Sequence, residues 1–229
     1  RVVHEDIPCE LLLVDEAAAI PTSLLEPMLR RHARIAFATT VHGYEGTGRG
    51  FDLRFHKVLD ALTPEWRRQR MEQPIRWAEG DPLERLVFRS LLLDAEPASN
   101  EAVATIAPEQ CQIEFLNRQM LLDDEPLLSQ LFGLLVLAHY RTSPGDLHNL
   151  LDGPNLDIAV LHHHKTVLGC ALIAREGGVD AALAQQIYAG EQRLRGNLLP
   201  QSLATHAGLA QAPQLTAARV MLLAIHPAC

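Results

Sequence analysis

Cysteine is scarce: Cys9, Cys111, Cys170 and Cys229 stand far apart in a chain of 229 residues. No C-x-x-C pair and no disulfide-like spacing occurs, which excludes a disulfide-stapled scaffold and leaves reduced thiols as the expectation. Long apolar runs are lacking too. The longest, Leu127 to Ala138, is interrupted by Ser129, Gln130 and Gly133, and at about a dozen residues it is too short to span a bilayer. No positively charged leader with an apolar core opens the chain, so nothing points to secretion and the cytoplasm is the expected compartment. Positive charge is in deficit, with a formal net charge of -8. A surface that binds nucleic acid everywhere is thereby excluded, because neutralising phosphates takes clustered Lys and Arg.

What is present is core-forming material. A hydrophobic content of 48% suffices for one large or two modest domains. The charge deficit has one local exception: from Arg49 to Arg76, seven cations stand against four anions. Such a segment can face a polyanion, and a solvated helix face carries similar charge. Arg1 is no Met and precedes an early apolar strand, and Cys229 comes four residues after the apolar stretch Val220 to Ile225. A piece of a longer protein is the expectation.

The first third alternates strand and helix. Leu11 to Val14 is a continuous apolar strand, Pro21 to Arg31 a helix opened by proline, and Ile35 to Val41 a second apolar strand. Alternation of this kind implies a parallel sheet, whose ligands bind beyond the carboxyl ends of the strands. There the first strand runs into Asp15-Glu16, and two readings fit. One is a metal-holding acid followed by a water-orienting acid, as in nucleotide-hydrolysing enzymes. The other is an apolar strand that ends in solvated carboxylates. After Val41 comes a loop dense in glycine, Gly43-Tyr44-Glu45-Gly46-Thr47-Gly48-Arg49-Gly50, suited to close backbone approach or to a plain surface turn. No G-K-[S/T] follows, so it is not a Walker A loop.

Phe51 to Leu62 reads as an amphipathic helix, Arg70 to Trp77 as an edge strand interrupted by Pro74, and Pro82 to Leu93 as a helix. The stretch from Asp94 to Pro108, rich in Ala, Pro, Glu, Ser and Asn, is the expected boundary. Beyond it, Cys111 to Phe115 is a candidate strand, and Pro126 to Tyr140 is a buried helix. A short helix opens at Ser143-Pro144. Leu156 to Leu161 and Thr166 to Ala174 form a hairpin, Val179 to Ala189 a helix, and Val220 to Ile225 a closing strand.

Six segments then come together: Asp15-Glu16-Ala17-Ala18-Ala19-Ile20-Pro21, the Thr39-Thr40 strand end with the Gly43 to Gly50 loop, Gln73-Pro74-Ile75-Arg76-Trp77, His139-Tyr140-Arg141-Thr142-Ser143-Pro144, Arg195-Gly196-Asn197-Leu198, and Ala224-Ile225-His226-Pro227-Ala228. In this order they resemble the tRNA(Met) cytidine acetyltransferases, a family that joins a RecA-like, helicase-type ATPase to an acetyltransferase of the GNAT class. The resemblance implies an α/β fold, with the C-terminal part of the ATPase module over 1–110 and the N-terminal part of the GNAT module over 111–229. It implies N4-acetylation of the wobble cytidine of elongator tRNA(Met), with ATP, Mg2+ and acetyl-CoA as cofactors. The partners it implies are tRNA(Met), ATP and acetyl-CoA, with neither DNA nor membrane among them.

Carried over by position, the resemblance makes Asp15 and Glu16 the Walker B acids, with Mg2+ reached only through Asp15 and ATP. It makes Arg76 a nucleotide contact, and it makes Leu223, Ala224 and Ile225 the strand whose backbone binds acetyl-CoA. Gly43, Tyr44, Gly46, Gly48 and Arg49 would couple nucleotide state to RNA. The Walker A loop would precede Arg1 and the loop for the CoA pyrophosphate would follow Cys229, so the chain by itself is expected to be inactive. Rival parents are an RNA helicase without acyl transfer and a non-catalytic RNA-binding module.

The exocyclic cytosine amine is a weak nucleophile, so the chemistry needs positioning and proton removal. His139, His206 and His226 are candidate bases, each also readable as a satisfied or exposed histidine. Adjacent residues on a hairpin point in alternating directions, so His162, His163 and His164 are not expected to converge on one metal ion. Arg193 and Arg195 are candidates for tRNA phosphates or an exposed helix end. Without the resemblance, a structural ion pair is the preferred role for Arg76.

Overall fold

A computed structural model of the chain describes residues 8–40, 48–138 and 143–229, and the side chains of 48–54 are left out of account. The chain forms two compact units: Arg1–Glu96 with Val136–Asp146, and Pro97–Leu135 with Leu147–Cys229.

In the first unit, β1 (Leu12–Val14) and β2 (Ile35–Phe37) pair in parallel, Leu12 beside Ile35 and Val14 beside Phe37. The crossover is α1 (Thr22–Arg31), which starts after Pro21 and buries Leu25 and Leu29. Leu25, Val14, Ala17 and Ala18 surround Phe55 of α2 (Gly48–Leu62). The Phe55 ring meets Phe37 edge to face at 4.9 Å, a geometry that adds about 0.5–1.5 kcal/mol to the gain from burial. Helix α2 begins at Gly48, earlier than the expected Phe51, so Gly48, Arg49 and Gly50 belong to its first turn. The rest of the glycine loop, with Gly43, Tyr44 and Gly46, lies outside the described residues.

The expected edge strand Arg70 to Trp77 is not formed. The stretch is irregular, with Met71 and Ile75 exposed. Pro74 removes a ladder donor, and the only sheet of this unit among the described residues is the β1–β2 pair, so nothing aligns it. Helix α3 (Pro82–Ser90) starts at a full cap: Asp81 Oδ1 accepts the N–H groups of Leu83, 2.8 Å, and Glu84, 3.1 Å.

The second unit begins ahead of the expected boundary at Gln110. Ser99 caps α4 (Asn100–Ala104), which packs on the central sheet with Val103 buried. The carbonyl of Ala98 is held by His226. The segment Pro97–Gln110 thus folds with the C-terminal sheet, because its few apolar and backbone groups find their partners there.

The sheet is antiparallel throughout, in the order β3 (Gln112–Leu116), β4 (Leu156–His163), β5 (Thr166–Gly177), β6 (Thr216–Ile225). Between β3 and β4 run α5 (Arg118–Asp123), α6 (Glu125–Ala138) and α7 (Pro144–Asp152). Helix α6 is apolar on nearly every side, burying Leu128, Leu131, Phe132, Leu134 and Leu135. Its Gln130 joins it to the hairpin, donating from Nε2 to Lys165 O and accepting the Val167 N–H at Oε1, each 3.2 Å. Arg118 of α5 donates to the carbonyl of Gly153 and so fastens the turn before β4.

Period-two alternation separates the two faces of the sheet. Ile158, Val160, Cys170, Leu172 and Ala224 form the buried face. The other face carries two aligned rows: Phe115, Ala159, Ala171 and Leu223, then Ile113, Leu161, Gly169 and Ile225. Strand β6 runs from Thr216, longer than the expected Val220 to Ile225, and Met221 is an extra residue against β5 where the register shifts.

Helices α8 (Ala181–Ala189) and α9 (Leu198–Thr205) lie between β5 and β6 in sequence. Glu176, at the end of β5, is fully buried and bound twice. Its Oε1 pairs with Arg219 Nε of β6 at 2.7 Å, and its Oε2 accepts the Leu199 N–H of the first turn of α9 at 2.8 Å. A buried carboxylate needs such partners, and the N-terminal end of a helix is a favourable place for one.

Candidate functional site

The chain presents two candidate sites, one in each unit. In the first, β1 ends at Val14 and the next two residues are Asp15 and Glu16, both exposed. Glu16 takes the left-handed conformation, φ 50 and ψ 41, which costs a non-glycine residue roughly 1–2 kcal/mol. The surroundings hold it there. Ala17 donates to Ala38 O at 2.9 Å, Ala38 donates to Val14 O at 2.8 Å, and Ala17 and Ala18 of the short 3₁₀ turn are packed into the core. Asp15 Oδ1 accepts the N–H of Glu16 at 3.0 Å, which ties one carboxylate oxygen to the turn and leaves the other to solvent. Among the described residues neither acid forms an ion pair. Two open carboxylates beyond the C-terminal end of a parallel strand fit a hydrated divalent cation, which takes oxygen ligands.

Arg76 is exposed on the irregular stretch, and among the described residues it makes no ion pair. The structural ion pair preferred for it is therefore absent there. Gly48 and Arg49 lie in the first turn of α2.

In the second unit the site is made of backbone. The His226 N–H donates to Leu168 O across β5 at 2.7 Å. Main-chain groups along a strand alternate from edge to edge, so Ala224, like His226, points its N–H and C=O toward β5. Leu223 and Ile225 point theirs the other way. Among the described residues no strand pairs with that outer edge of β6, so two residues offer unpaired donors and acceptors in a row. Gly169 of β5 helps to shape this end: a Cβ there would lie 2.7 Å from Ile225 Cδ1. The bulge at Met221 immediately precedes the segment, and bulges re-aim a strand.

His226 is buried and committed to structure. Its Nδ1 accepts the Ala228 N–H at 3.2 Å, so Nε2 carries the proton and donates to Ala98 O at 2.9 Å. It is not available as a base. His139 lies outside the described residues, and His206 is exposed beside a cavity. On the hairpin, His162 faces Glu114 Oε2 at 3.4 Å while His163 Nδ1 meets Gln110 O at 3.0 Å. Cys170 is shut in the core, where burial pushes its thiol up to about 12, far from a thiolate nucleophile at neutral pH.

Arg193 and Arg195 are exposed on the loop between α8 and α9, and Arg193 lines the cavity. Helix α9 is absent from the elements expected on sequence, and with it Gln201, Ser202 and Thr205. Pro200 in the first turn and Ala204 four residues on, both buried, are the signal that marks it.

Comparison with known proteins matches residues 1–94 to the helicase domain of the RNA cytidine acetyltransferases NAT10/TcmA, and residues 130–229 to a GNAT acetyltransferase family. The order is that of a helicase-type module followed by a GNAT module. A tRNA(Met) cytidine acetyltransferase TmcA of Nitrosococcus halophilus is 59% identical over 99% of this chain and 30% of its own length. Proteins of the same description are 48% identical in Haloferax volcanii, over 96% of this chain and 29% of theirs, and 40% in Vibrio cholerae, over 96% and 31%. The chain thus spans about three-tenths of the length of the curated relatives it matches.

Proposed function

The chain belongs to the TmcA family of tRNA(Met) cytidine acetyltransferases, and from that premise we propose that it serves ATP-dependent acetylation of the N4 amine of the wobble cytidine in elongator tRNA(Met). Acetyl-CoA is the acyl donor in this reading. The observation that carries it is the outer edge of β6, unpaired among the described residues and next to a committed ladder, in the module matched to the GNAT family.

Leu223 and Ile225 present strand-like hydrogen-bonding groups to an extended, amide-bearing acyl donor, and Ala224 keeps the strand fastened to β5. The apolar rows beside them cover the donor's aliphatic parts. Binding of this kind positions the donor and relieves the weak amine of the entropy of encounter.

In the other module, Asp15 would hold a magnesium ion and Glu16 would orient the attacking water. Magnesium when bound offsets the charge of the nucleotide phosphates. Arg76, with no structural ion pair among the described residues, serves as a nucleotide contact. The task of ATP turnover is to free the cytidine from the anticodon stack, since an exocyclic amine buried in a stack is out of reach. Gly43, Tyr44, Gly46, Gly48 and Arg49 are placed in that coupling, and the setting is the cytoplasm.

Deleting the gene that encodes this chain tests the reading, with nucleoside mass spectrometry of purified elongator tRNA(Met) as the readout. N4-acetylcytidine is expected to disappear and to return on complementation. An unchanged level refutes the assignment.

A further inference from the structure

Helices α8 and α9 and the loop joining them enclose an open cavity of about 410 Å³, within the range of about 300–1,000 Å³ usual for ligand sites. Its lining includes Tyr188, Arg193, Leu198, Ser202, Thr205 and His206, and no carboxylate. In a protein of net charge -8 this is a local reversal. Tyr188 keeps 42% of its surface exposed and Leu198 keeps 61%, so a ring and an aliphatic wall stand ready beside a guanidinium.

The walls are rigid. Gln201 locks the loop to α9: its Oε1 accepts the Leu194 N–H at 2.9 Å, and its Nε2 donates to the carbonyls of Leu194 and Asn197. Arg193 is therefore next to a pinned residue. Gly190 closes α8 in the left-handed conformation, with its own N–H on Ile187 O and the Glu191 N–H on Gln186 O. Asn197 Oδ1 accepts the Gly177 N–H at 2.7 Å, and Glu176 holds the start of α9, so the whole wall is anchored to the sheet. On α9 the Ser202 hydroxyl can donate and accept, whereas Thr205 Oγ1, one turn on, donates to Gln201 O at 2.8 Å and is left to accept.

We infer that this cavity takes one unstacked nucleotide of an RNA strand, the base against Tyr188 and its phosphate on Arg193. A flat ring for the base, a fork of donors for the phosphate and hydroxyls for base edges are the chemistry that recognises a splayed nucleotide. The inference rests on the RNA reading of the family and deepens it with a subsite built by α8, α9 and the loop between them.

The test is fluorescence anisotropy on the 229-residue chain, with a labelled short single-stranded RNA, the same RNA as a duplex, and free CMP as competitor. The single strand is expected to bind better than the duplex, and CMP to compete only weakly. Tyr188→Ala should weaken binding about 5- to 100-fold, whereas Tyr188→Phe keeps the ring and the affinity. Arg193→Ala should weaken binding and reduce the salt slope by about one. Ser202→Trp fills the cavity from the helix side and should also abolish binding, with circular dichroism confirming the fold of each variant. Unchanged binding in folded Tyr188→Ala and Arg193→Ala overturns the inference. So do equal affinity for duplex, equal loss in Tyr188→Phe, displacement by CMP as effective as by the strand, and no RNA binding at all. None of those outcomes touches the loss of N4-acetylcytidine on gene deletion, so the pocket and the family reading fail separately.

Discussion

The end of β1 and the outer edge of β6 are built from different materials. At β1 the candidate chemistry is side-chain charge, two exposed carboxylates held at a strained turn. At β6 it is the main chain, with Leu223 and Ile225 turned outward while Ala224, 2% exposed, faces the core. A site of the first kind depends on which residue is present. One of the second kind depends on register, and it tolerates a change of side chain that leaves the strand in place.

That contrast can be broken at either end, most severely at β1. Asp15→Asn keeps an oxygen to accept the Glu16 N–H, so the turn survives, and only the charge is lost. N4-acetylcytidine formation in cells carrying this variant should drop roughly 10²- to 10³-fold. Near-normal levels would put Asp15 among the solvated acids.

At β6 the comparison is between neighbours. Ala224→Pro removes a ladder donor and should cost about 3 kcal/mol or more in chemical denaturation. Leu223→Pro loses an N–H that points outward, so the fold should persist at a smaller cost while acetyl-CoA binding, read by calorimetry on the protein that binds it, falls. Equal destabilisation by both would show that the outer edge of β6 is paired as firmly as the inner one.

The smallest effect concerns pH. Burial raises the Cys170 thiol from 9.0 to about 12, so the folded state holds its proton where the unfolded chain has released it. Its contribution to stability is complete below pH 9 and is lost as pH rises from 9 toward 12. Urea midpoints measured from about pH 8 to about pH 10.5 should decline, and Cys170→Ala should flatten the decline. A thiol reagent at about pH 8 should label Cys9 well before Cys170.

Much of the layout was legible because it follows from local pattern. The β1–α1–β2 crossover, the α6 helix, the β4–β5 hairpin and the helix start at Pro144 declare themselves through periodicity and turn chemistry. The strand expected over Arg70 to Trp77 did not form, since a strand needs a partner and its own sequence supplies none. The boundary falls between Glu96 and Pro97, inside the expected stretch Asp94 to Pro108 but ahead of Gln110, because Val103 and Ala98 find long-range partners in the second unit. The role of His226 was undecidable from sequence, for its two partners are the backbone of Ala228 and of distant Ala98.

By itself the sequence determined the order of most elements, the carboxylates at the end of β1 and the family to which the chain belongs, all of them carried by residue identity at short range. Only the tertiary structure decided which edge of β6 is left unpaired among the described residues, which histidine is spent on the fold, and that Arg193 and Tyr188 share a cavity. Those are matters of strand register and of contacts between residues far apart in the chain, and pairing of that kind exists only once the sheet and helices have packed.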